Sequence, residues 1–213
     1  MTAVHIVLAA PKVEKIAPLI KEEGFVIGVD RGALLALEED IQVDVAVGDF
    51  DSISREEEEF IQTKVKLKLD FPSDKDDTDT ELALQYALKH YPSSEIYIYN
   101  WYGGRIDHLY SILLIAVQKR FEDVIPRLHL VSEKNNISYY LPGQHILRKI
   151  GQMDYLSYIL LTPVENLTLN GMKYELSEET YNRPIALISN EFISNEANFS
   201  FDTGIIAAIQ SKD

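Results

Sequence analysis

The sequence contains no cysteine among its 213 residues. A disulfide framework, a thiolate metal site and a cysteine nucleophile are therefore excluded. Cations are scarce too, with 20 Lys and Arg against 34 Asp and Glu and a net charge of −14. Because binding to nucleic acid or anionic lipid through bulk charge depends on clustered Lys and Arg, we expect neither nucleic acid nor a membrane as a partner. An anionic ligand must then be bound locally, by a few cations or by a metal.

Long apolar runs are also missing. The first run, in MTAVHIVLAAPKVEK, has no basic segment before it and is interrupted by His5, so we expect a buried strand there and no signal peptide. The best other candidate, residues 155–164, is too short to cross a bilayer. Since the lack of cysteine also fits a reducing compartment, the sequence predicts a cytoplasmic protein.

The first two thirds of the chain alternate between two hydrophobic patterns. Short apolar runs typical of buried strands lie at residues 4–9, 26–29, 43–47, 65–69, 96–99 and 128–131. Segments with helical spacing separate them, most clearly at residues 109–120. Two further helices are predicted to begin at capping boxes, Ser54 with Glu57 and Thr78 with Glu81. Such alternation predicts an α/β domain with a mostly parallel sheet and helices on both faces.

The pattern changes after the Pro-Gly pair at 142–143, and helical spacing does not return. Strand-like runs lie at residues 155–162, 185–189 and 205–209. Asn170 and Gly171, which stand between apolar residues, are a strong hairpin signal. Several short strands with turns between them are typical of a β-sandwich. We therefore predict an α/β domain over residues 1–142, followed by an all-β sandwich over residues 143–213.

Carboxylates follow three of the predicted strands. Asp30 follows the second strand, Asp49 and Asp51 the third, and Asp76 and Asp79 the fourth. Ligands of an open α/β sheet bind beyond the carboxyl ends of its strands, where these residues would gather. Clustered carboxylates repel one another unless a cation lies between them, and Mg²⁺ prefers such oxygens together with substrate phosphates. The pattern therefore predicts phosphoryl chemistry on a nucleotide, although Asp79 alone is better explained as a structural residue of the first helical turn.

A pair of glycines follows the fifth predicted strand. Gly103 and Gly104 precede Arg105, and Asp107 and His108 come next at the start of a helix. Glycines that expose backbone N–H groups beside a guanidinium favour phosphate binding. A plain turn would explain the glycines alone, but not the charged residues directly after them.

Three segments resemble the signatures of thiamine pyrophosphokinases, in the same order and at similar separations. They are GDFDS at 48–52, DKDDTDTELA at 74–83 and GGRIDH at 103–108. Weaker similarities are VDRGA at 29–33, TLNGMKYEL at 168–176 and ISNEF at 188–192. The resemblance implies a Mg²⁺-dependent transfer of diphosphate from ATP to the hydroxyl of thiamine, with AMP as the other product. It also implies a homodimer whose active sites are shared between the α/β domain of one subunit and the β-sandwich of the other.

The resemblance further implies roles for individual residues. The catalytic set would be Asp49, Asp51, Asp76, Asp79 and Asp107, of which the first four would also hold the metal. The residues expected to bind ATP are Asp30, Lys75, Thr78, Gly103, Gly104, Arg105 and His108. Ser189 and Asn190 are expected to bind thiamine. Either Asp79 or Asp107 would accept the proton of the thiamine hydroxyl, and the sequence does not choose between them.

Two positions depart from the family pattern. Arg31 replaces the second residue of an Asp-Gly-Gly-Ala turn, and Ile112 stands where these enzymes usually carry Asn. The Asn amide would make a nucleotide or metal contact from the helix that follows Asp107 and His108, and Ile112 does not supply this contact.

Two other classes of function remain open. Another Mg²⁺-dependent pyrophosphokinase or a phosphohydrolase would use the same carboxylates, whereas a non-enzymatic thiamine or nucleotide sensor would not need the full carboxylate set.

Overall fold

The computed structural model describes residues 2–11, 14–72, 74 and 76–213. Two compact units make up the chain, one from residues 1–115 and 129–132 and the other from residues 116–128 and 133–213. None of the helices in the described ranges has the length and apolar character needed to span a membrane.

The first unit is an α/β structure, and its described residues form six strands. The strands are β1 Ala3–Val7, β2 Gly24–Val29, β3 Val45–Gly48, β4 Leu67–Asp70, β5 Ile96–Tyr99 and β6 Leu128–Val131. The α-helices are α1 Arg31–Glu38, α2 Arg55–Lys64, α3 Asp79–His90 and α4 Ile106–Leu113. The strand order is β6-β5-β1-β2-β3-β4, and strands β1 to β5 pair in parallel. The predicted mostly parallel sheet is confirmed.

Helices cover both faces of this sheet. Alternate residues of a strand point to opposite faces, so Phe25 and Val26 of β2 lie on different sides. Val26 belongs to the same buried cluster as Leu35 and Ala36 of α1. The ring of Phe25 instead stacks on Tyr86 of α3, with centroids 6.3 Å apart. The arrangement predicted from the alternating pattern is therefore present.

Capping residues determine where two helices begin. Ser54 accepts a hydrogen bond from the backbone N–H of Glu57 at the start of α2, and Thr78 accepts one from Glu81 at the start of α3. In both cases the Glu carboxylate accepts the N–H of the capping residue in return, so both predicted capping boxes are confirmed. The helix predicted over 109–120 is shorter and begins earlier: α4 ends at Leu113. A 3-10 helix follows at Leu114–Val117, because apolar residues spaced three or four apart also suit its three-residue turn.

The second unit carries eight strands and one long 3-10 segment, Lys119–Arg127. The strands are β7 Asn135–Tyr140, β8 Gly143–Arg148, β9 Tyr155–Leu160, β10 Val164–Asn170, β11 Leu176–Tyr181, β12 Ile185–Glu191, β13 Glu196–Phe201 and β14 Ile206–Ser211. Within this unit they form two antiparallel groups, in the orders β12-β9-β14-β7 and β11-β10-β13-β8. Tyr158 from the first group and Phe199 and Phe201 from the second share one buried core. The two sheets therefore pack face to face, which confirms the β-sandwich.

Two details of the second unit differ from what the sequence predicted. The hairpin expected at Asn170 and Gly171 is present as the pairing of β10 with β11, but its connection covers residues 171–175, where Met172 forms a bridge to Phe192. Strand β7 precedes the Pro-Gly pair yet belongs to the second unit, because it pairs along its whole length with β14.

Candidate active site

The carboxylate of Asp30 is placed by an unusual backbone. Asp30 follows β2 with φ 48° and ψ −125°, and its side chain forms no cap for α1. Its Oδ1 instead accepts the backbone N–H of Phe50, at 3.3 Å, in the loop after β3. A Cβ built on Gly48 would overlap this Oδ1, so only glycine leaves room for the carboxylate. The GDFDS loop thus provides both the space and a donor for Asp30.

Three carboxylates from separate segments meet at this place, Asp30 after β2, Asp49 after β3 and Asp79 at the start of α3. Single oxygen atoms of Asp30, Asp49 and Asp79 all lie within 4.8 Å of one another, and the three residues are partly buried. Asp49 follows β3, and its Oδ1 also accepts the backbone N–H of Asp51 at 3.2 Å. Like charges held this close repel strongly at reduced solvent exposure, so the arrangement favours a cation among them. The donors are all oxygens, which hard divalent cations such as Mg²⁺ prefer.

The three carboxylates line a cavity of about 650 Å³ in the first unit. Such a volume is within the usual range for a site that binds a small molecule. One part of its wall is acidic and includes Asp51 and Asp77 as well, while Arg105 and His108 supply the basic groups. The remainder of the wall is mainly apolar and aromatic, from Leu8, Ala9, Ala10, Pro11, Val29, Trp101, Tyr102, Leu109 and Ile112. One cavity therefore combines clustered carboxylates, a guanidinium and an apolar, aromatic wall.

Arg105 forms a two-point ion pair with Asp107. Its Nε lies 3.1 Å from Oδ1 and its Nη2 lies 2.6 Å from Oδ2 of the carboxylate. The hydrogen bonds from Arg105 hold the pKa of Asp107 below its usual value, and the backbone N–H of His108 adds to the effect. Gly104 lets this loop approach the one after β1, since a Cβ on Gly104 would lie 2.8 Å from the Cδ of Pro11. The guanidinium of Arg105 is exposed to solvent at the cavity wall. A phosphate bound there would compete with the carboxylate of Asp107 for its N–H donors.

Some of the other residues predicted from the sequence in the first unit line the cavity, and others do not. Thr78 lines it and also caps α3. Among the described residues, Asp76, Gly103 and Asp107 are exposed and lie outside the lining. Lys75 falls outside the described residues. Asp77, which sequence reasoning missed, lines the cavity, and its place in the acidic run 74–79 was the only signal for it.

The predicted thiamine residues lie on β12 of the second unit. Asn190 is buried, and its side chain brackets the backbone of Tyr174: Oδ1 accepts the N–H at 2.9 Å and Nδ2 donates to the carbonyl at 2.7 Å. Ser189 is exposed and has φ 59°, at an irregularity in the pairing of β12 with β9. Asn190 therefore has a structural task that its sequence context did not reveal.

The two departures from the family pattern have different surroundings. The guanidinium of Arg31 lies 3.5 Å from the carboxylate of Glu57 on α2, and its side chain is about half exposed. Ile112 is buried and lines the cavity, so it presents an alkyl side chain where an amide was expected.

Comparison with known proteins supports one family throughout the chain. Residues 16–127 match the family model "Thiamin pyrophosphokinase, catalytic domain", and residues 144–206 match "Thiamin pyrophosphokinase, vitamin B1 binding domain". A curated thiamine pyrophosphokinase of Bacillus subtilis is 32% identical over 217 residues and is covered completely, as is this chain.

Solved structures give the same result. The crystal structure of a thiamin pyrophosphokinase family protein from Enterococcus faecalis matches with a TM-score of 0.92 and 44% identity, over all of both chains. That of thiamine pyrophosphokinase from Bacillus subtilis matches with a TM-score of 0.85 and 30% identity, also over all of both chains. Yeast thiamin pyrophosphokinase, at 14% identity and a TM-score of 0.76, shares the fold over 99% of this chain and 86% of its own. With three ordered signature segments, two matching family models and full-length relatives, this chain belongs to the thiamin pyrophosphokinase family.

Proposed function

We propose that this protein transfers the diphosphate group of ATP to the hydroxyl of thiamine, forming thiamine diphosphate and AMP in the cavity of the first unit. Family membership supports the reaction. The observation that carries the proposal for the site is the meeting of Asp30, Asp49 and Asp79 within 4.8 Å, in the cavity that Arg105 also lines. Phosphoryl transfer depends mainly on positioning and charge stabilisation, and this arrangement can provide both.

The acidic wall is proposed as the Mg²⁺ site. Asp30, Asp49 and Asp79 would be the ligands, with Asp51 and Asp76 as the further carboxylates that the sequence indicated. When bound, Mg²⁺ would offset the negative charge of the phosphate oxygens. The carboxylates also suit the second substrate, because the thiazolium ring of thiamine is cationic.

Arg105 is proposed to bind the phosphates of ATP through its planar fork, together with Lys75, Thr78, Gly103, Gly104 and His108. A phosphate that takes the place of Asp107 on Arg105 would remove the hydrogen bonds that keep the pKa of that carboxyl low. Asp107 would then become a stronger base toward the thiamine hydroxyl. Asp79 is the alternative base, and pH profiles of turnover for Asp107→Asn and Asp79→Asn would distinguish the two.

We further propose a homodimer with shared active sites, in which Ser189 and Asn190 of one subunit meet thiamine bound at the other. Both units expose large apolar side chains, which supports an interface on each. In the first unit Ile106 and Tyr110, one turn apart on α4, are 68% and 61% exposed. In the second unit Ile188 and Ile193, on either side of Asn190, are both 68% exposed.

The dimer is tested by mixing two inactive variants. An Asp49→Asn subunit combined with an Asn190→Ala subunit should regain part of the activity, because one of the two sites in the mixed dimer draws on undamaged residues only. Light scattering at assay concentration should give the mass of a dimer. A fully active monomer, or no recovery after subunit exchange has been demonstrated, contradicts the shared site.

The reaction itself is tested by incubating the protein with ATP, Mg²⁺ and thiamine and identifying the products by mass spectrometry. Thiamine diphosphate and AMP in equal amounts are expected. Asp49→Asn should lower turnover by orders of magnitude while the protein melts at nearly the same temperature, because the amide keeps the volume of the carboxylate but not its charge. Release of inorganic phosphate without thiamine diphosphate would show a hydrolase instead.

A further inference from the structure

Lys68 on β4 is unusually enclosed for a lysine. Its side chain is 11% exposed, whereas that of Lys66, two residues earlier, is 67% exposed. The ammonium lies 2.6 Å from the carboxylate of Glu58 on α2 and also pairs with Asp70. Lysines are rarely buried to this degree without a specific set of partners. These partners fix the ammonium in one position.

The enclosed ammonium lies over an aromatic ring. The Nζ of Lys68 is 4.3 Å from the centroid of Phe50, which is within the distance for a cation–π attraction. Phe50 is buried and belongs to a cluster with Ala33, Leu34 and Ile61. Lys68 therefore covers the ring on one side, while the core of the first unit holds it on another.

Phe50 connects this contact to the carboxylates. It lies between Asp49 and Asp51, and its φ of 56° is a conformation that side-chain-bearing residues seldom adopt. Its backbone N–H donates to Asp30, and its neighbour in the chain is Asp49, so the conformation of Phe50 affects two of the three carboxylates that meet in the cavity. A strained backbone of this kind persists only when its surroundings hold it. Asp30 holds the backbone N–H of Phe50, and the surrounding side chains hold its ring.

We propose that Lys68 is a positioning residue for the cation site. Held by Glu58 and Asp70, its ammonium keeps the ring of Phe50 in place, and the ring keeps the loop in the conformation that brings Asp30 and Asp49 together. The inference rests on the proposed function only in taking these carboxylates as the cation site. Lys68 touches no substrate in this role.

The loss of the charge of Lys68 and the loss of its positioning role predict opposite changes in the affinity for a cation. Removing a positive charge near an acidic site should by itself strengthen the binding of a cation. Loss of the support for Phe50 should weaken it, by about tenfold, the size of effect found for groups that orient metal ligands. The direction of the change therefore separates the two explanations.

The experiment is a titration of the substrate-free protein with Mn²⁺, a probe for the Mg²⁺ site, followed by electron paramagnetic resonance. Lys68→Met should raise the dissociation constant about tenfold. Lys68→Arg, which keeps the charge and the ring contact, should bind nearly as the parent does. Lys66→Met is the matched control, because it removes the same charge from the same segment, where Lys66 pairs with Asp44 and not with the loop.

Phe50→Leu provides a second and independent variant. It removes the ring, leaves the ion pairs of Lys68 in place, and should weaken Mn²⁺ binding to a similar extent. In the Phe50→Leu protein, Lys68→Met should cause little further loss, because the contact is already absent. In the turnover assay, Lys68→Met should need more Mg²⁺ for half-maximal rate and regain most of kcat at saturation.

The outcomes separate this inference from the proposed function. Unchanged or tighter Mn²⁺ binding by Lys68→Met, with normal binding by the parent, overturns the positioning role and leaves the cation site intact. A parent protein that binds no Mn²⁺ contradicts the cation site itself, and the role of Lys68 with it.

Discussion

Replacement of Gly48 by alanine tests how the site is built, because glycine is needed there for two reasons: a clash with the side chain of Asp30 and a backbone φ of 156°. A Cβ at this position would overlap the Oδ1 of Asp30 and lie 2.6 Å from its Cγ, but 3.2 Å from its backbone nitrogen. The severe contacts are thus with the carboxylate. Gly48→Ala should push this carboxylate out of place and lower turnover to the level of Asp30→Ala.

The expected loss of stability follows from the same contacts. Overpacking in a closely packed region costs about 1–3 kcal/mol, and we expect about 2 kcal/mol from the clash with Asp30 in Gly48→Ala. For a chain of this size that corresponds to a decrease of roughly 4–8 °C in Tm. In an Asp30→Ala background the carboxylate is gone, so the same substitution should keep only the strain of a side chain at φ 156°, about 1 kcal/mol. The two changes should therefore be coupled by roughly 1–2 kcal/mol.

Urea unfolding of the parent, the two single variants and the double variant measures this coupling. The chain has one tryptophan, Trp101, which is buried in the first unit, so its fluorescence reports on the unit that contains the substitutions. AMP formation in the presence of thiamine measures turnover of the same four proteins. Equal free-energy costs of Gly48→Ala in both backgrounds would refute the reasoning, because the clash would then lie with the backbone.

Three further predictions concern other parts of the chain. Arg105→Lys keeps the charge but not the planar fork, so the KM for ATP should rise roughly tenfold, and an unchanged KM would make the loop structural. Asn190→Ala removes both hydrogen bonds to the backbone of Tyr174 and should cost about 1–3 kcal/mol of stability by urea unfolding, even without thiamine. Burial lowers the pKa of His5, which is bonded to the Tyr99 hydroxyl and the Glu22 carbonyl, so the folded state binds fewer protons than the unfolded state. Stability should therefore fall as the pH decreases through about 6.5, and Tm between pH 7.5 and pH 5 should fall less in His5→Gln than in the parent.

The local sequence was sufficient to predict those features that depend on neighbouring residues. The capping boxes at Ser54 and Thr78 involve residues three positions apart, so the side chains that determine each helix start are visible in the sequence itself. The alternation of apolar runs and helical segments likewise determined the parallel sheet, because a parallel strand pair requires a crossover of helical length. The three ordered signature segments were sufficient to indicate the family.

Some strands were not visible in the sequence. The strands β7, β8 and β13 have the sequences NNISYY, GQHILR and EANFSF, which carry no long apolar run. Each is stabilised by pairing with a strand far away in the chain, as β7 is with β14. Such pairing depends on contacts that a local pattern does not contain.

The sequence alone determined which residue types gather at the strand ends: carboxylates, two glycines and an arginine. Only the tertiary structure decided which carboxylates meet, because the group of Asp30, Asp49 and Asp79 depends on a left-handed Asp30, on the missing side chain of Gly48 and on a ring held by Lys68. In the same way it assigned Asn190 to the backbone of Tyr174, sixteen residues earlier. Spacing along the chain limits which residues can approach one another, but distances of a few ångströms are set by packing between segments, and that packing exists only in the folded molecule.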